Sequence, residues 1–261
     1  MDAYKHKKKF GQNFLKNKKI LINIIDSIDV KEDDLVIEIG PGQGDLTKYL
    51  KLYNCNLLCY EIDTDLKKYL NSFEDSKTKI IYKNFLEANV QEDIKDINYN
   101  NLYIIANLPY YVTTPILEKI ISEKINVKEM SLMVQKEVAQ RFSAHPGTKD
   151  YGSVTIYLNS YFDIELLFEV NRKDFDPVPN VDSAVIKLIR NDKHSLIKDE
   201  VIFNKIVKDS FFMKRKNIKN NLKNYDLKTI EKILLNNNLS LNDRAENVPL
   251  EVFIEMANNI L

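Results

Sequence analysis

Five short apolar runs recur between residues 35 and 134, and amphipathic stretches separate them. The runs are Leu35–Ile39, Leu57–Tyr60, Lys79–Tyr82, Leu102–Ala106 and Met130–Val134. Their β-branched and large apolar residues are typical of strands that are buried on both faces. Strands that alternate with helices form a mostly parallel sheet covered by helices. The chain is therefore predicted to be an α/β protein.

Further segments predict how this sheet is completed. Leu66–Phe73 has a helical pattern, and another helix is predicted to open at Thr114, which suits an N-cap, with Pro115 at the first helical position. Val154–Phe162 and Ala184–Ile189 follow one another with no helical pattern between them. We predict that these two segments form an antiparallel pair at the edge of the sheet.

The last third of the chain changes character after the polar run at residues 191–195. Beyond it the periodicity is helical throughout, in an apolar stripe of Val207, Phe211, Ile218 and Leu222, then in Leu227–Leu235 and Pro249–Ile260. We therefore predict two domains, a sheet-based domain over residues 1–190 and a small all-α domain over residues 191–261.

Composition excludes several classes of protein. With 44% hydrophobic residues and equal numbers of acidic and basic residues, 38 of each, the chain can bury a full core and is not of the disordered class. No apolar run approaches the ~18 residues of a membrane helix, and the basic N-terminus lacks a signal-peptide pattern. Cys55 and Cys59 fit neither a disulfide framework nor zinc-ligand spacing. We predict a reduced, cytoplasmic protein without membrane association or metal.

The zero net charge conceals two basic segments. Residues 1–20 carry a net charge of +6, and residues 205–223 also carry +6. Two such segments on an otherwise acidic chain favour a polyanionic partner such as nucleic acid. Solvated lysine-rich faces without a partner are the alternative.

A glycine-rich turn follows the strand predicted at Leu35–Ile39. Gly40, Gly42 and Gly44 have the spacing G-x-G-x-G, and Asp45 stands where the dinucleotide fingerprint requires its third glycine. This spacing disfavours NAD and favours S-adenosylmethionine, whose cationic sulfonium needs no pyrophosphate cradle. An acid that binds ribose hydroxyls is expected about 20 residues further on, and Glu61 follows Gly40 by 21 residues. A purely structural turn is the alternative.

A second chemical signal directly follows the strand predicted at Leu102–Ala106. The sequence there is Asn107, Leu108, Pro109 and Tyr110. Adenine N6 is a poor nucleophile because its lone pair is delocalised into the ring, so its catalyst needs acceptors for both N6 hydrogens. The Asn107 side-chain oxygen and the Leu108 carbonyl can supply them, while Tyr110 offers a ring face to a flipped base. A strand-end turn with a packed tyrosine is the alternative.

Six segments, in order along the chain, contain further motifs: Lys8–Leu15, Glu38–Thr47, Asn107–Tyr111, Gln135–Arg141, Tyr151–Ser153 and Phe175–Ala184. Together they resemble the ribosomal RNA adenine N6,N6-dimethyltransferases, most closely the bacterial small-subunit (16S), kasugamycin-resistance family. The resemblance runs from about residue 5 to residue 250. It implies a seven-stranded, Rossmann-like methyltransferase sheet with a small helical C-terminal domain. It also implies dimethylation of two adjacent adenosines in the 3′-terminal hairpin loop of 16S rRNA by S-adenosylmethionine.

The resemblance also implies a cofactor site. Its residues would be Gln12, Asn13, Leu15, Gly40, Gly42, Gly44, Glu61, Ile62, Asn84, Phe85 and Asn107. The first three would cover the methionine side of the cofactor, Gly40 and its neighbours its carboxypropyl chain, and Glu61 its ribose. Asn107 would serve both cofactor and target base.

One position departs from the family's pattern. Asn84 stands where the family usually has an Asp that accepts the cofactor's adenine amino group. An amide oxygen accepts a weaker hydrogen bond than a carboxylate, so cofactor affinity is predicted to be lower by roughly tenfold. Glu87 could compensate.

Roles in RNA recognition follow from the same resemblance. Phe175 would stack on the target adenine opposite Tyr110, with a core plug as the alternative. The implied rRNA-binding residues are Lys7, Lys8, Lys9, Lys205, Lys208, Lys214, Arg215, Lys216, Lys219 and Lys223. Five of the C-terminal members recur at steps of three or four residues except for one longer gap, which predicts a basic helix face opposite the apolar stripe; they are Lys205, Lys208, Lys216, Lys219 and Lys223.

The partner implied is 16S rRNA within an assembling 30S subunit, bound by a monomeric enzyme. Three alternatives predict other sequence features. A 23S rRNA methyltransferase of the macrolide-resistance type usually has Ile at the position of Leu108, and a non-catalytic assembly or transcription factor would have lost the glycine-rich turn or the Asn107–Tyr110 motif. A protein-glutamine methyltransferase would have Asn-Pro-Pro-Tyr and no basic segments.

Overall fold

A computed structural model describes residue 7 and residues 11–260 of the protein. Its strands are β1 (Phe14–Leu15), β2 (Leu35–Ile39), β3 (Asn56–Tyr60), β4 (Thr78–Ile81), β5 (Leu102–Asn107), β6 (Glu129–Gln135), β7 (Phe162–Val170), β8 (Phe175–Asp176) and β9 (Ser183–Arg190). Seven of them form one sheet in the order β4-β3-β2-β5-β6-β9-β7, and β1 pairs with β8. The predicted α/β class and seven-stranded sheet are confirmed.

The centre of the sheet is parallel and buried. β2 pairs in parallel with β3 and β5, β3 with β4, and β5 with β6, whereas β9 is antiparallel to β6. All five residues of β2 are buried. The five strands predicted from apolar runs are confirmed to within one residue at each end, because burial on both faces leaves a continuous apolar run in the sequence.

The helices are α1 (Lys18–Asp26), α2 (Thr47–Leu50), α3 (Lys67–Leu70), α4 (Val90–Ile94), α5 (Thr113–Ser122), α6 (Lys136–Phe142), α7 (Ser153–Asn159), α8 (Glu200–Ser210), α9 (Ile218–Asn221), α10 (Leu227–Asn236) and α11 (Leu250–Asn259). The Asp199 carboxylate caps α8 by accepting from two backbone N–H groups of its first turn. None of the helices in the described part of the chain is both long and apolar enough to cross a membrane.

The chain forms two compact units. The first comprises the chain up to Ala139 together with Glu165–Ile189, and the second comprises Gln140–Ile164 together with the chain from Arg190 onward. The third crossing between the units, between residues 189 and 190, lies close to the predicted boundary near residue 191, but residues 140–164 belong to the C-terminal unit, which the prediction did not include. They share its apolar core, to which Tyr151 and Ile156 contribute. That the first unit is catalytic and the second binds rRNA stays a prediction.

The strand predicted at Val154–Phe162 is wrong. Ser153–Asn159 is the helix α7, and the edge strand begins only at Phe162. The Gly152 N–H donates to the Thr155 hydroxyl at 3.1 Å, and that hydroxyl donates to the Arg141 carbonyl at 2.7 Å. These bonds hold the first turn of a helix whose apolar, β-branched composition is that of a strand.

The single basic helix predicted near residues 205–223 is also wrong. α8 ends at Ser210, residues 211–217 form a loop, and α9 begins at Ile218 with Asn217 as its N-cap. The apolar stripe was predicted correctly, since Val207, Ile218 and Leu222 are buried in the core of the second unit.

The start of α5 differs from its prediction by two residues. The helix begins at Thr113 with Val112 at the N-cap position, so Pro115 is its third residue rather than its first. The first turn of a helix has no intrahelical acceptors for its N–H groups, so a proline is tolerated there.

Candidate active site

The carboxyl ends of β2, β3 and β5 lie at one edge of the sheet and line a pocket, the position where parallel α/β sheets bind ligands. The predicted site residues that this pocket brings together are Gln12, Asn13, Leu15, Gly40, Gly42, Glu61, Ile62, Asn107, Leu108, Pro109, Tyr110 and Phe175. Asn84 and Phe85 line a second pocket, which shares Gly40, Ile62 and Pro109 with the first. The two pockets are therefore contiguous. Gly44 lines neither.

The glycine-rich turn requires glycine for conformation and for space. Gly42 has φ +61°, and a Cβ added to it would lie 2.6 Å from Cε1 of Phe14. At Gly44, with φ +84°, a Cβ would lie 2.4 Å from Cε2 of Phe73. A side chain is excluded at both positions. The ring that approaches Gly42 this closely is that of Phe14. Phe14 belongs to residues 11–15, which we call the N-terminal segment.

Two buried carboxyl groups line the first pocket. The Gly42 N–H donates to Oε2 of Glu61 at 3.0 Å, and the Asp63 N–H donates to Oε1 at 2.8 Å. Burial nevertheless raises the pKa of Glu61 to about 7. Glu38 accepts from the Thr47 hydroxyl at 2.7 Å, and burial raises its pKa to about 8. Both groups therefore change charge near neutral pH.

A third carboxyl group, that of Asp45, also lines this pocket. Its Oδ2 is buried and has no hydrogen-bond partner among the described residues, and the ammonium of Lys16 lies 3.7 Å away. Buried carboxylate oxygens are normally paired. Within the described chain this oxygen has only the distant ion pair with Lys16 and accepts no hydrogen bond, so it fits a ligand with a cationic or N–H donor group.

Asp63 fastens the N-terminal segment to the loop after β3. Its carboxylate is buried and accepts from the Lys7 ammonium at 2.6 Å and from the Gln12 side-chain amide at 3.1 Å. The Gln12 side-chain oxygen in turn accepts from the Lys7 N–H at 2.9 Å. Lys7 also forms an ion pair with Asp65 at 2.5 Å. Since the neighbouring Glu61 accepts the Asp63 N–H, this cluster links the N-terminal segment to the predicted ribose-binding carboxylate.

Asp63→Ala should loosen the N-terminal segment, because Gln12 and Lys7 lose their buried acceptor. We expect a loss of about 1.5–3 kcal/mol in the free energy of unfolding and faster tryptic cleavage after Lys16. The matched control is Asp65→Ala, which removes an exposed carboxylate from the same lysine and should cost less than about 1 kcal/mol. Equal cleavage rates in both variants would contradict this role of Asp63.

The Asn107 side chain is fixed by the N-terminal segment. Its Nδ2 donates to the Asn13 carbonyl at 3.3 Å, and no donor among the described residues reaches its Oδ1. The Leu108 N–H donates to the Met133 carbonyl of β6 at 3.1 Å. The Tyr110 hydroxyl lies 3.0 Å from the Ser183 hydroxyl, which orients its ring. Residues 107–110 therefore present the Asn107 amide oxygen and the Tyr110 ring face to the pocket.

Phe175 is held beside the pocket by a two-stranded sheet. β1 and β8 are antiparallel, with Leu15 opposite Phe175, and the Lys16 N–H donates to the Asp174 carbonyl at 2.8 Å. The ring is buried and belongs to the apolar core of the first unit, and it also lines the pocket. Phe175 is therefore part of the core, as the alternative interpretation predicted, and it also lines the pocket; its stacking on a target adenine stays a prediction.

Both polar ends of Asn84 are engaged locally. Its Oδ1 accepts from the Leu86 N–H at 3.1 Å and caps a short 3₁₀ helix, and its Nδ2 donates to Glu87 at 3.1 Å. A ligand amino group would therefore share the Asn84 oxygen with the backbone.

Glu38, Asp45 and Asp63 were not predicted as functional residues. The signal that could have revealed Glu38 is an acid within an otherwise apolar, fully buried strand, since an ionisable group is rarely retained there without a purpose. Asp63 gave no such signal, because its partners lie 51 and 56 residues away in the chain.

The lysines predicted to bind RNA differ in their surroundings. Lys7 is engaged by Asp63 and Asp65, and Lys8 and Lys9 lie outside the described residues. Lys205 forms an ion pair with Asp209 at 2.9 Å and donates to the Tyr225 hydroxyl at 2.6 Å. The others, all exposed, are Lys208, Lys214, Arg215, Lys216, Lys219 and Lys223.

A search of residue 7 and residues 11–260 found no group of three or more His, Cys, Asp or Glu side chains that could hold a metal ion. Cys55 and Cys59 are both buried thiols without a disulfide. Burial raises the pKa of the Cys55 thiol to about 11, so it stays protonated at neutral pH.

Two solved structures have the same fold over nearly the full chain. The dimethyladenosine transferase from Plasmodium falciparum aligns with a TM-score of 0.76 at 24% identity and covers 93% of this chain and 95% of its own. The 23S rRNA methyltransferase ErmE aligns with a TM-score of 0.72 at 23% identity and covers 95% and 99%. At these identities the likeness establishes the fold.

Sequence comparison goes further. A protein from Fusobacterium nucleatum subsp. nucleatum is 41% identical over 258 residues, which is 97% of each chain, and one from Caldanaerobacter subterraneus subsp. tengcongensis is 38% identical over 268 residues, again 97% of each. Both are named ribosomal RNA small subunit methyltransferase A. Residues 3–261 also match the family described as ribosomal RNA adenine dimethylase. The sequence and the fold thus agree, and this chain belongs to the ribosomal RNA adenine dimethylase family.

Proposed function

We propose that this protein dimethylates N6 of two adjacent adenosines in the 3′-terminal hairpin loop of 16S rRNA during assembly of the small ribosomal subunit, with S-adenosylmethionine as methyl donor. The observation that carries the proposal is the position of the Asn107 amide oxygen. It lies at the end of β5, in the same pocket as the three carboxyl groups and the rings of Tyr110 and Phe175.

The pocket fits S-adenosylmethionine. This cofactor supplies an electrophilic methyl group on a cationic sulfur, and it also has an amino group and ribose hydroxyls. Glu61 would accept from the hydroxyls, and the unpaired oxygen of Asp45 fits a cationic donor. Ile62 and Phe85 would enclose the adenine in the second pocket. Gln12 would act through Asp63, because both ends of its side-chain amide are already engaged.

The residues at the end of β5 fit the target base. The Asn107 Oδ1 and the Leu108 carbonyl would accept the two N6 hydrogens and draw the nitrogen lone pair out of conjugation. Tyr110 and Phe175 would supply the ring faces for a base taken out of its stack. No side-chain base is required, because the methylated, positively charged nitrogen is acidic enough to lose its proton to water.

The test is methylation of ribosomal subunits with labelled S-adenosylmethionine. Undermethylated small and large subunits are incubated separately with the protein, and the modified bases are mapped. We expect label on two adjacent adenosines in the last hairpin of 16S rRNA. Label confined to 23S rRNA would favour the macrolide-resistance activity, and subunit binding without label would favour a non-catalytic assembly factor.

The affinity for S-adenosylmethionine should rise with pH between about 6 and 9. A bound cationic ligand favours the ionised carboxylates, so binding lowers the raised pKa values of Glu61 and Glu38 and releases protons. The ionised fractions, and with them the affinity, therefore increase as pH rises through about 7 and about 8. Calorimetry in two buffers of different ionisation enthalpy counts the released protons.

The matched variant is Glu61→Gln, which keeps the shape of the side chain without its charge. It should bind the cofactor about tenfold more weakly at pH 8, because neutral acceptors form weaker hydrogen bonds. It should also release fewer protons than the wild type. The amino group of the ligand titrates equally with both proteins, so the difference belongs to Glu61. Identical affinity and proton release would remove Glu61 from the site.

A further inference from the structure

The loop between α8 and α9 combines an exposed aromatic ring with a run of cations. Phe212 is 81% exposed and Met213 is 39% exposed. Lys214, Arg215 and Lys216 follow directly and are also exposed. None of these three cations forms an ion pair with any residue that the structure describes. An exposed aromatic ring beside three uncompensated positive charges offers a stacking face and cationic groups on one loop.

This loop has a defined conformation, held by the side chain of Asn221. The Asn221 Nδ2 donates to the Ser210 carbonyl at 2.6 Å and to the Met213 carbonyl at 3.3 Å, and its Oδ1 accepts from the Met213 N–H at 3.2 Å. The Lys216 N–H donates to the Met213 carbonyl at 2.8 Å. These hydrogen bonds, most of them from the α9 residue Asn221, fix the conformation of the loop.

The two consecutive phenylalanines have opposite surroundings. The Phe211 ring packs in the core of the second unit, with its centroid 6.4 Å from that of Tyr151 and 6.1 Å from that of Phe253. Phe212, one residue later, is left in solvent. Because its neighbour is anchored and the turn is braced, little conformational entropy remains to be lost when Phe212 binds a partner.

We propose that Phe212 stacks on an unpaired base of rRNA while Lys214, Arg215 and Lys216 bind the adjacent phosphates. In a single-stranded RNA segment, phosphates alternate with bases whose ring faces are exposed. Cations beside an aromatic ring can bind the phosphates while the ring stacks on a base. The proposal rests on the proposed function, which makes rRNA the partner. It adds a contact to a base in a loop for which the sequence predicted phosphate contacts alone.

The first experiment compares Phe212→Ala with the wild type in equilibrium binding to undermethylated small subunits at several salt concentrations. Loss of one stacked base should weaken binding by about 5- to 150-fold. The dependence on salt should keep the wild-type slope, because no charge is removed. The control is Leu235→Ala, which removes an apolar side chain that is 62% exposed in the same unit, and it should bind as the wild type does.

The second experiment uses the absence of tryptophan from the chain. Phe212→Trp gives the chain a single tryptophan, which can be excited at wavelengths where the 14 tyrosines do not absorb. The variant should retain affinity, and its tryptophan should be quenched when the subunit binds. Phe212→Leu keeps an apolar side chain without a ring and should bind as weakly as Phe212→Ala.

Full affinity of Phe212→Leu or Phe212→Ala, or an unquenched tryptophan in the bound complex, would overturn the proposal. Full affinity of Phe212→Leu with weak binding of Phe212→Ala would instead indicate an apolar contact with a ribosomal protein. Failure of the proposed function has a different signature, since the wild-type protein itself would then leave small subunits unmethylated, whatever the affinities of the Phe212 variants.

Discussion

Replacing Asn107 by Ala should reduce the rate of methyl transfer by about 10²–10³-fold, by analogy with the loss of one preorganised polar group at a reacting centre. The amide is held by the Asn13 carbonyl and no donor of the described chain reaches its Oδ1, which leaves that oxygen available for the role proposed for it, acceptance of an N6 hydrogen. Single-turnover methylation of undermethylated small subunits at saturating cofactor measures this rate.

Two controls separate chemistry from folding and binding. The affinity of Asn107→Ala for the subunit should hardly change, because that affinity depends on remote cations. Tyr110→Phe should be mild, since it keeps the ring and loses only the contact with the Ser183 hydroxyl, whereas Tyr110→Ala should cost about 1–3 kcal/mol of stacking. Equal losses of rate and of subunit affinity in Asn107→Ala would indicate a folding defect instead.

The affinity for the small subunit should fall by about 10³–10⁵-fold between 50 and 200 mM salt if the basic segments together contact six to ten phosphates. Neutralised phosphates release counterions, so the slope of log affinity against log salt counts the contacts. Replacement of Lys214, Arg215, Lys216 and Lys219 by Ala should flatten that slope by up to about four units. Filter binding or sedimentation across a salt series provides the measurement.

The same quadruple variant should bind S-adenosylmethionine normally. The four residues belong to the second compact unit, whereas both pockets are lined by residues of the first. An unchanged salt slope with normal methylation would mean that these cations are a solvated surface. Recognition would then depend on the first unit alone.

Most of the sheet could be predicted from the sequence because the central strands of a parallel sheet are buried on both faces and are therefore mostly apolar. The run Leu35–Ile39 is buried at every position and coincides with β2. Val154–Phe162 has the same β-branched composition and is mostly a helix. Its conformation depends on the contact of the Thr155 hydroxyl with the Arg141 carbonyl, 14 residues away, which no local pattern records.

In the C-terminal unit, too, burial could be predicted from the sequence but the backbone conformation could not. The apolar periodicity was sufficient to predict that Val207, Ile218 and Leu222 are buried. These side chains are buried although a loop, and not one continuous helix, connects them. The interruption between α8 and α9 was not predictable from periodicity. It is held by the Asn221 side chain, whose polar atoms bond to Ser210 and Met213 rather than to solvent.

By itself the sequence determined where the five central strands lie, where the glycine-rich turn follows β2, and that Glu61 and Asn107 stand at strand ends, because each depends on residues close together in the chain. Only the tertiary structure decided which polar groups are already satisfied. It assigned Gln12 and Lys7 to Asp63, left one Asp45 oxygen unpaired, and raised the pKa of Glu38 to about 8. These properties depend on hydrogen-bond partners and burial contributed by elements far apart in sequence, and they are established only when the chain has folded.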